Sequence, residues 1–372
     1  MFRRWGQNDR QPTLKLATRI IRKAVKVIGH QQLLAITTRI FEAAGSSKQE
    51  ADIVAQHLVE SSLAGVDSHG VIRIPEYVNK MLGKPIPRGS FRIIPRAKIT
   101  TTKDRAAIAM LDGGGGFGQV LAYRAMELAT EKARELSIGV VTGCNCDHIG
   151  RLGSYPLRAV KKGMIGVTFA KGIATMAPLG GKEKLLGNNP ISFGIPAGKE
   201  KPIILDFAMS VVAAGKLTVA IDKGERVPAG WLIDAEGNPT TDPNDFYRGG
   251  SLLPFSGHKG YGLGVVGEVL AGILSGSGVL TEYKGTNAFT QIALNVDAFL
   301  PLEDFKSQVD KLVKTIRESP RIGGVDKIMI PGEPEFVMTE KRLREGIPIP
   351  ETTWSRIVGA AREVGLETGV LD

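Results

Sequence analysis

The sequence predicts an α/β fold, and two observations carry that prediction. Along the middle of the chain, apolar residues switch repeatedly between a helical period and short strand-like runs. The composition also suits it: 42% hydrophobic, 23% charged and 46 glycines in 372 residues. That is ordinary for a globular chain long enough to bury a large core or two lobes. Alternating helices and strands bury their apolar faces by layering helices on a sheet.

Taken in order, residues 31–44 set Leu34, Ile36, Ile40 and Phe41 at helical spacing and stop at Gly45. Ser47-Lys48-Gln49-Glu50 has the order of a capping box and opens a helix to about residue 64. The front lobe is therefore expected to be helical. Pro85, Pro87 and Pro95 mark loops. Residues 106–111 read as a strand, 119–136 as a long helix and 138–141 as a second strand. A helix follows at 155–162 and a strand at 165–170. Residues 180–190 read as loop, 191–195 and 203–205 as strands, and 211–219 as helix. Residues 222–256, with scattered Gly and Pro, suggest a surface excursion. A glycine-rich helix is expected at 260–275, an alternating strand at 288–296 and a helix at 302–319.

The net charge of +10 is concentrated at the start, where residues 1–26 hold eight basic side chains against Asp9. The rest is nearly balanced, and only 6% of residues are aromatic, so no nucleic-acid partner is expected. The basic start reads as a solvated tail or an over-long gene start, with a surface-binding amphipathic helix around 14–28 as the other reading. No apolar run approaches the ~18 residues of a membrane span, and the polar start lacks a secretory apolar region. With Cys144 and Cys146 the only cysteines, a disulfide framework is not expected. A cytoplasmic location with no membrane partner follows as the expectation.

Two histidine motifs carry the chemistry. The first is Asp67-Ser68-His69-Gly70-Val71-Ile72-Arg73-Ile74-Pro75-Glu76-Tyr77. Histidine moves protons near neutral pH, and the planar fork of arginine matches a carboxylate. If Asp67 or Ser68 caps a helix, His69, Arg73 and Tyr77 fall on one face. Pro75 sits comfortably only in a first turn, which moves the helix start nearer Ile72. On spacing alone, a capped turn with a surface Arg fits equally. The second motif is Cys144-Asn145-Cys146-Asp147-His148-Ile149-Gly150-Arg151. His148 follows a strand and precedes a helix, where α/β sites gather; a loop histidine held by backbone is the alternative. Only His30, His57, His69, His148 and His258 are present, and no spacing completes a metal shell around Cys144, Cys146 and His148. No metal is expected.

Gly113-Gly114-Gly115-Gly116-Phe117-Gly118 satisfies G-x-G-x-x-G between a strand and a helix. It lies more than a hundred residues into the chain, and no acidic residue ends the next strand to hold a ribose. A tight strand-helix turn is the better reading. Phe255-Ser256-Gly257-His258-Lys259-Gly260-Tyr261-Gly262 better suits phosphate, with free helix N–H groups and the charge of Lys259, or else is a helix packed through its glycines. Asn188 lies in a turn whose amides bind a polar ligand or cap the loop. Asp206-Phe207-Ala208-Met209-Ser210 follows a strand, where Asp206 holds a ribose hydroxyl or caps a helix.

Together, DSHGVIRIPEY at 67–77, LDGGGGFGQV at 111–120, DHIGRLGSY at 147–155, LGNNPISFGIPA at 186–197, LDFAMSVVAAGK at 205–216 and PFSGHKGYGL at 254–263 resemble the type-2 malate/L-lactate dehydrogenase family. Their order over about residues 31–350 makes the resemblance specific. It implies a nicotinamide-binding fold that is not the Rossmann fold, with a helical N-terminal lobe. A basic extension would cover 1–30 and the catalytic unit 31–372, with helical parts at about 31–80 and the C-terminus and a cofactor-binding lobe at about 100–300. It also implies a homodimer or higher homo-oligomer acting on a small carboxylate.

By the same resemblance, His148 matches the proton acceptor and donor, and His69 a second site histidine that some members use as the proton donor. Arg73 binds the substrate carboxylate, and Ser68, Tyr77 and Asn188 make further substrate contacts. Cofactor contacts carry over to Gly172, Asp206, Phe207, Ala208, Met209, Ser210, His258, Lys259, Gly332 and Glu333. The cofactor is NAD or NADP, NAD slightly favoured; Lys171, where relatives often carry Asn-Ser, adds a charge suited to a 2′-phosphate and keeps NADP open. The implied reaction is reversible hydride transfer at C2 of a 2-hydroxy or 2-keto acid. The alternative is reduction of a cyclic imino acid or diketo sugar acid.

Overall fold

A helical cluster forms at the front of the chain, as the periodicity requires. The computed structural model describes residues 25–84, 92–279, 287–367 and 369. The expectations for residues 1–24, Pro85 and Pro87 lie outside them. Strand β1 (Val25–Ile28) leads into α1 (His30–Ala43) and α2 (Lys48–Leu63). The core face of α1 is Leu33, Ile36, Ile40 and Phe41, with Leu34 only partly buried. Ser47 caps α2 as the sequence predicts: its Oγ accepts from the Glu50 N–H and the Glu50 carboxylate accepts from the Ser47 N–H. That carboxylate also accepts from the Arg96 N–H, so a local cap ties two distant segments.

The first histidine motif forms two short 3₁₀ turns, Asp67–His69 and Val71–Arg73, followed by α3 (Ile74–Met81) with Pro75 in its first turn. Pro75 thus sets the helix start as its ring demands. The single face of His69, Arg73 and Tyr77 does not form, because only Tyr77 is on α3.

Next come β2 (Thr100–Arg105), β3 (Ile108–Gly116), α4 (Gly118–Leu136) and β4 (Ile138–Cys146). They are followed by α5 (Pro156–Val160), β5 (Met164–Lys171), β6 (Ala174–Met176), β7 (Leu186–Gly187), β8 (Ile191–Ile195) and β9 (Ile203–Phe207). The chain continues through α6 (Ala214–Lys223), β10 (Leu232–Ile233), β11 (Pro239–Thr240), β12 (Ser251–Leu252) and α7 (His258–Gly267). It ends with β13 (Asn287–Asn295), α8 (Leu302–Glu318), α9 (Glu333–Glu345), β14 (Ile347–Pro350) and α10 (Glu351–Glu363).

The main sheet has seven strands in the order β2-β3-β4-β13-β5-β8-β9. Only β3 and β4, joined through α4, run parallel; every other neighbouring pair is antiparallel. Strand β13 inserts between β4 and β5 from far along the chain, which local periodicity does not foretell. The buried face of α4, with Leu121, Ala122, Ala125, Met126 and Ala129, packs on this sheet. Fully burying such aliphatic side chains contributes roughly 1.5–3 kcal/mol for each large one.

Two expectations need correction. Residues 222–256 are not merely a surface excursion, because β10, β11 and β12 pair there and join β6 and β7 in a five-stranded sheet. Residues 25–30 do not belong to a separate basic extension, nor is 25–28 the end of an amphipathic helix. Strand β1 pairs antiparallel with β14, and Ile28 packs with Ile347 and Trp354 in the helical core. Helix α7 stops at Gly267 and continues as a π-helical turn, Glu268–Ile273, rather than as one α-helix to 275.

The glycine run is strand followed by helix start. An ideal Cβ on Gly118 would lie 2.0 Å from the Asp147 carbonyl oxygen, so glycine here brings α4 against the end of β4. The run therefore serves packing beside the second histidine motif.

Candidate functional site

The second motif is set by the end of β4. Buried Asp147 accepts two hydrogen bonds from Lys80 Nζ on α3, at 2.9 and 3.0 Å. Lys80, equally buried, also pairs with Glu76 at 3.2 Å, and Glu76 pairs with Arg73 at 2.7 Å. Two cations and two carboxylates thus alternate along α3 and into β4. Burial alone would raise the Glu76 carboxyl, but Arg73 and Lys80 outweigh it and hold it below its ordinary value. Burial raises the Asp147 carboxyl, with Lys80 opposing.

His148 faces the first motif. Its Nδ1 is 2.7 Å from the Tyr77 hydroxyl, and its ring centroid is 5.4 Å from that of His69. Ser68 Oγ lies 2.9 Å from His69 Nδ1. No partner contacts Nε2 of either ring among the described residues. Both rings are pushed toward the neutral form. Burial, then the charge of Arg73, lowers His69 to about 4, and the same causes push His148 well below its ordinary value. Arg73 donates through Nε to the Ser68 carbonyl and through Nη1 to Glu76. Among the described residues its Nη2 and the second Nη1 proton have no partner, which leaves one edge of the fork for a carboxylate.

A third histidine fixes the loop after His148. Buried His57 on α2 accepts from the Arg151 N–H at 2.9 Å and stacks on Tyr155. Burial lowers its pKa to about 3. Gly150 has φ +74°, and an ideal Cβ there would lie 2.1 Å from His57 Nε2, so this approach requires glycine.

A cleft of about 820 Å³ opens between the end of α2, the 150–153 turn, β9 and the start of α9. That is the size of a small-molecule or cofactor site. Ser68, His69, Asn188, Asp206, Phe207, Ala208 and Gly332 line it, as expected. Asp206 accepts from the Gly153 N–H at 2.7 Å. The surrounding walls crowd its carboxyl and raise it to about 6. Gly172 sits beside Asn188, at 3.1 Å from its Oδ1 to an ideal Cβ.

Several expected site residues are placed elsewhere. Tyr77 is fully buried, and its hydroxyl is taken by His148 and Gln119, so a direct substrate contact is not what this geometry offers. Met209 packs with Met176, Leu186 and Leu252 and donates its N–H to the Asn188 carbonyl, while Ser210 Oγ donates to the Val212 carbonyl. Glu333 turns its carboxylate to Lys327, Arg317 and the Ile330 N–H. His258 and Lys259 are exposed at the start of α7 and do not line the cleft. Lys171 is buried at 1% exposure against Glu268 and the Gly278 carbonyl. Cys144 and Cys146 are free thiols, and no cluster that would hold a metal occurs among the described residues.

The sequence reading missed Lys80, Asp147, Glu76, His57 and Gln119. One signal was available for Lys80: it shares the buried face of α3 with Tyr77, an unusual place for an ammonium.

His69 lines the cleft and stands beside the His148 ring, while His148 and Arg73 are not among the cleft-lining residues; two imidazoles and an arginine edge can hold a proton and a small anion. Similarity to known proteins assigns the class. The chain belongs to the malate/L-lactate dehydrogenase family, whose profile matches residues 28–358. It is 39% identical over 353 residues to a malate dehydrogenase of Pyrococcus abyssi, covering 91% of this chain and 95% of that one. It is 36% identical over 347 residues to an L-sulfolactate dehydrogenase of Methanothermobacter thermautotrophicus, covering 91% and 97%. The solved malate dehydrogenase of Pyrococcus horikoshii superposes with a TM-score of 0.81 at 34% identity, covering 92% and 97%. The chain is therefore an oxidoreductase acting on hydroxy acids. Among the described residues no helix is long and apolar enough to cross a membrane.

Proposed function

We propose that this chain reversibly oxidises a small 2-hydroxy acid such as malate, lactate or a close analogue, with His148 carrying the hydroxyl proton. The observation that carries the reading is the His148 ring set 5.4 Å from that of His69, with Nε2 of both rings unpartnered by described residues.

The cleft suits a nicotinamide dinucleotide by its volume and by the cleft-lining Asp206 carboxylate, which the Gly153 N–H orients toward ribose-type hydroxyls. Asp206, Phe207, Ala208, Gly172 and Gly332 would hold it, and when bound it supplies the hydride acceptor or donor. The nicotinamide-binding lobe is of the non-Rossmann kind, with the helical lobe of α1–α3 closing one side. The burial of Lys171 favours NAD.

The Arg73 edge orients the substrate carboxylate. His148 Nε2 takes the hydroxyl proton in oxidation and returns it in reduction. His69 hydrogen-bonds the same oxygen. Burial keeps both rings unprotonated, ready to accept. A cytoplasmic homodimer is part of the reading; the exposed apolar side chains Leu263, Val266, Val269, Ile273 and Leu274 support self-association.

The test is absorbance at the reduced-nicotinamide band with NAD and NADP across malate, lactate, sulfolactate, ureidoglycolate and cyclic imines, for the parent and His148→Ala. The variant is expected to lose ~10²–10⁴-fold in turnover while still binding cofactor. Near-normal turnover by His148→Ala would refute the assignment.

A further inference from the structure

We propose that Gln119 is a positioning residue that sets, through the Tyr77 hydroxyl, which ring nitrogen of His148 bears the proton. The inference rests on the reading of His148 as proton carrier.

Gln119 is the second residue of α4 and is 1% exposed. Its Nε2 is 2.8 Å from Tyr77 Oη, which is 2.7 Å from His148 Nδ1. Its Oε1 has no hydrogen-bond partner among the described residues. A buried amide with one end unsatisfied carries a desolvation cost that an apolar side chain of the same shape would avoid. The cluster therefore retains a polar group that packing alone does not need.

The hydroxyl of Tyr77 has one proton, and it points to only one neighbour. With the amide N–H toward Tyr77, the tyrosine proton goes to His148 Nδ1, and the neutral ring carries its own proton on Nε2. Such a ring cannot accept a proton from a substrate hydroxyl. With the amide oxygen toward Tyr77, the tyrosine proton goes to Oε1. Tyr77 Oη then accepts from His148 Nδ1–H, and Nε2 presents a lone pair. When Nε2 takes the substrate proton, Nδ1–H keeps its acceptor, and the only group whose proton count changes is His148. The two amide orientations have the same shape, and each leaves one amide end unpartnered, so neither is locked by a second bond. Gln119 serves as the terminal acceptor of the competent state and the donor of the resting one.

The groups around His148 are His69 on the first 3₁₀ turn, Arg73, Tyr77 and Lys80 on and before α3, Asp147 beside it and His57 on α2. None except Tyr77 is hydrogen-bonded to Nδ1. A carboxylate in place of the amide would hold Nδ1–H permanently and make the ring more basic.

The experiment compares Gln119→Met, Gln119→Glu, Tyr77→Phe and the Gln119→Met/Tyr77→Phe double variant with His148→Ala. The readouts are kcat and kcat/KM against pH, and ¹⁵N NMR of the ring nitrogens in histidine-labelled, ligand-free protein. Gln119→Met is expected to lower kcat and kcat/KM together by roughly 10- to 100-fold, inside the range of one positioned proton carrier, with the His148 proton on Nε2. Gln119→Glu is expected to place it on Nδ1 and move the acid limb of the kcat/KM profile to higher pH. The double variant is expected to be no slower than Tyr77→Phe alone. Parent-like kinetics in Gln119→Met, or losses that multiply in the double variant, overturn the proposal. Should Gln119→Met not fold, the isosteric Gln119→Glu decides alone: an unmoved acid limb and tautomer overturn it. An inactive His148→Ala beside silent Gln119 variants sinks this inference only; an active one sinks the underlying reading.

Discussion

Replacing Lys80 with methionine tests the ion pair that holds α3 against the end of β4. The Lys80 and Asp147 side chains are 4% and 6% exposed, 2.9 Å apart. At an effective dielectric of ~20, that separation gives about 6 kcal/mol of gross attraction, most of which offsets the desolvation of two buried charges. The measurable quantity is the cost of leaving Asp147 buried without its cation, about 3–5 kcal/mol. With an unfolding entropy of ~2.1 cal/mol/K per residue, 372 residues give about 0.8 kcal/mol/K. The expected fall in Tm is therefore about 4–6 °C by calorimetry. Lys80 also opposes the upward push of burial on the Asp147 carboxyl, so its loss lets Asp147 protonate more readily and makes the deficit shrink as pH falls. Asp147→Asn in the Lys80→Met background is expected to recover part of the loss, because the orphaned charge is gone. The exposed pair Lys48–Asp52 serves as control, with no measurable shift for Lys48→Met. A Tm change below about 1 °C for Lys80→Met, or strict additivity with Asp147→Asn, would refute the reasoning.

Arg73→Lys is expected to raise KM for the hydroxy acid about tenfold to a hundredfold, the worth of one charge-assisted bond that an ammonium cannot make from a planar fork; steady-state kinetics check it, and an unchanged KM speaks against the clamp. Asp206→Asn is expected to weaken NADH binding about tenfold, or ~1.4 kcal/mol, in a fluorescence titration. It should also remove the parent's change in affinity between pH 5 and 7, since Asp206 ionises at about 6; equal affinities for parent and variant would count against the contact. His57 and His69, at about 3 and 4, lie below the unfolded value of ~6.5. The unfolded chain therefore takes up more protons as pH falls. The stability these rings confer is present above pH 6.5 and is lost as pH falls toward 3, at about 1.4 kcal/mol per unit for each ring. His57→Gln is expected to flatten that acid limb in a pH series of Tm; an unchanged slope would argue against the buried neutral ring as its source.

Local signals read well where a single stretch of chain decides the outcome. The Ser47–Glu50 capping box, α4 starting one residue before its predicted position, and β8 at 191–195 follow from nearest-neighbour chemistry. Pro75 fixed where α3 begins. The ordered motifs also made the family legible, and the cleft lining of His69, Asn188, Asp206 and Gly332 agrees with the residues singled out. The insertion of β13 between β4 and β5, the pairing inside 222–256 and the pairing of β1 with β14 were not legible. Strand partners so distant in sequence leave no trace in local periodicity.

By itself, then, the sequence determined which elements form, which motifs carry histidine and arginine, and the class of chemistry they serve. Only the tertiary structure decided what those side chains touch. It buried Tyr77 and gave its hydroxyl to His148, 71 residues away, and to Gln119, 42 residues away. It paired Lys80 with Asp147 across 67 residues and buried Lys171 against Glu268. A buried polar group must find a partner wherever the fold brings one within hydrogen-bond reach, and sequence spacing carries no information about that distance.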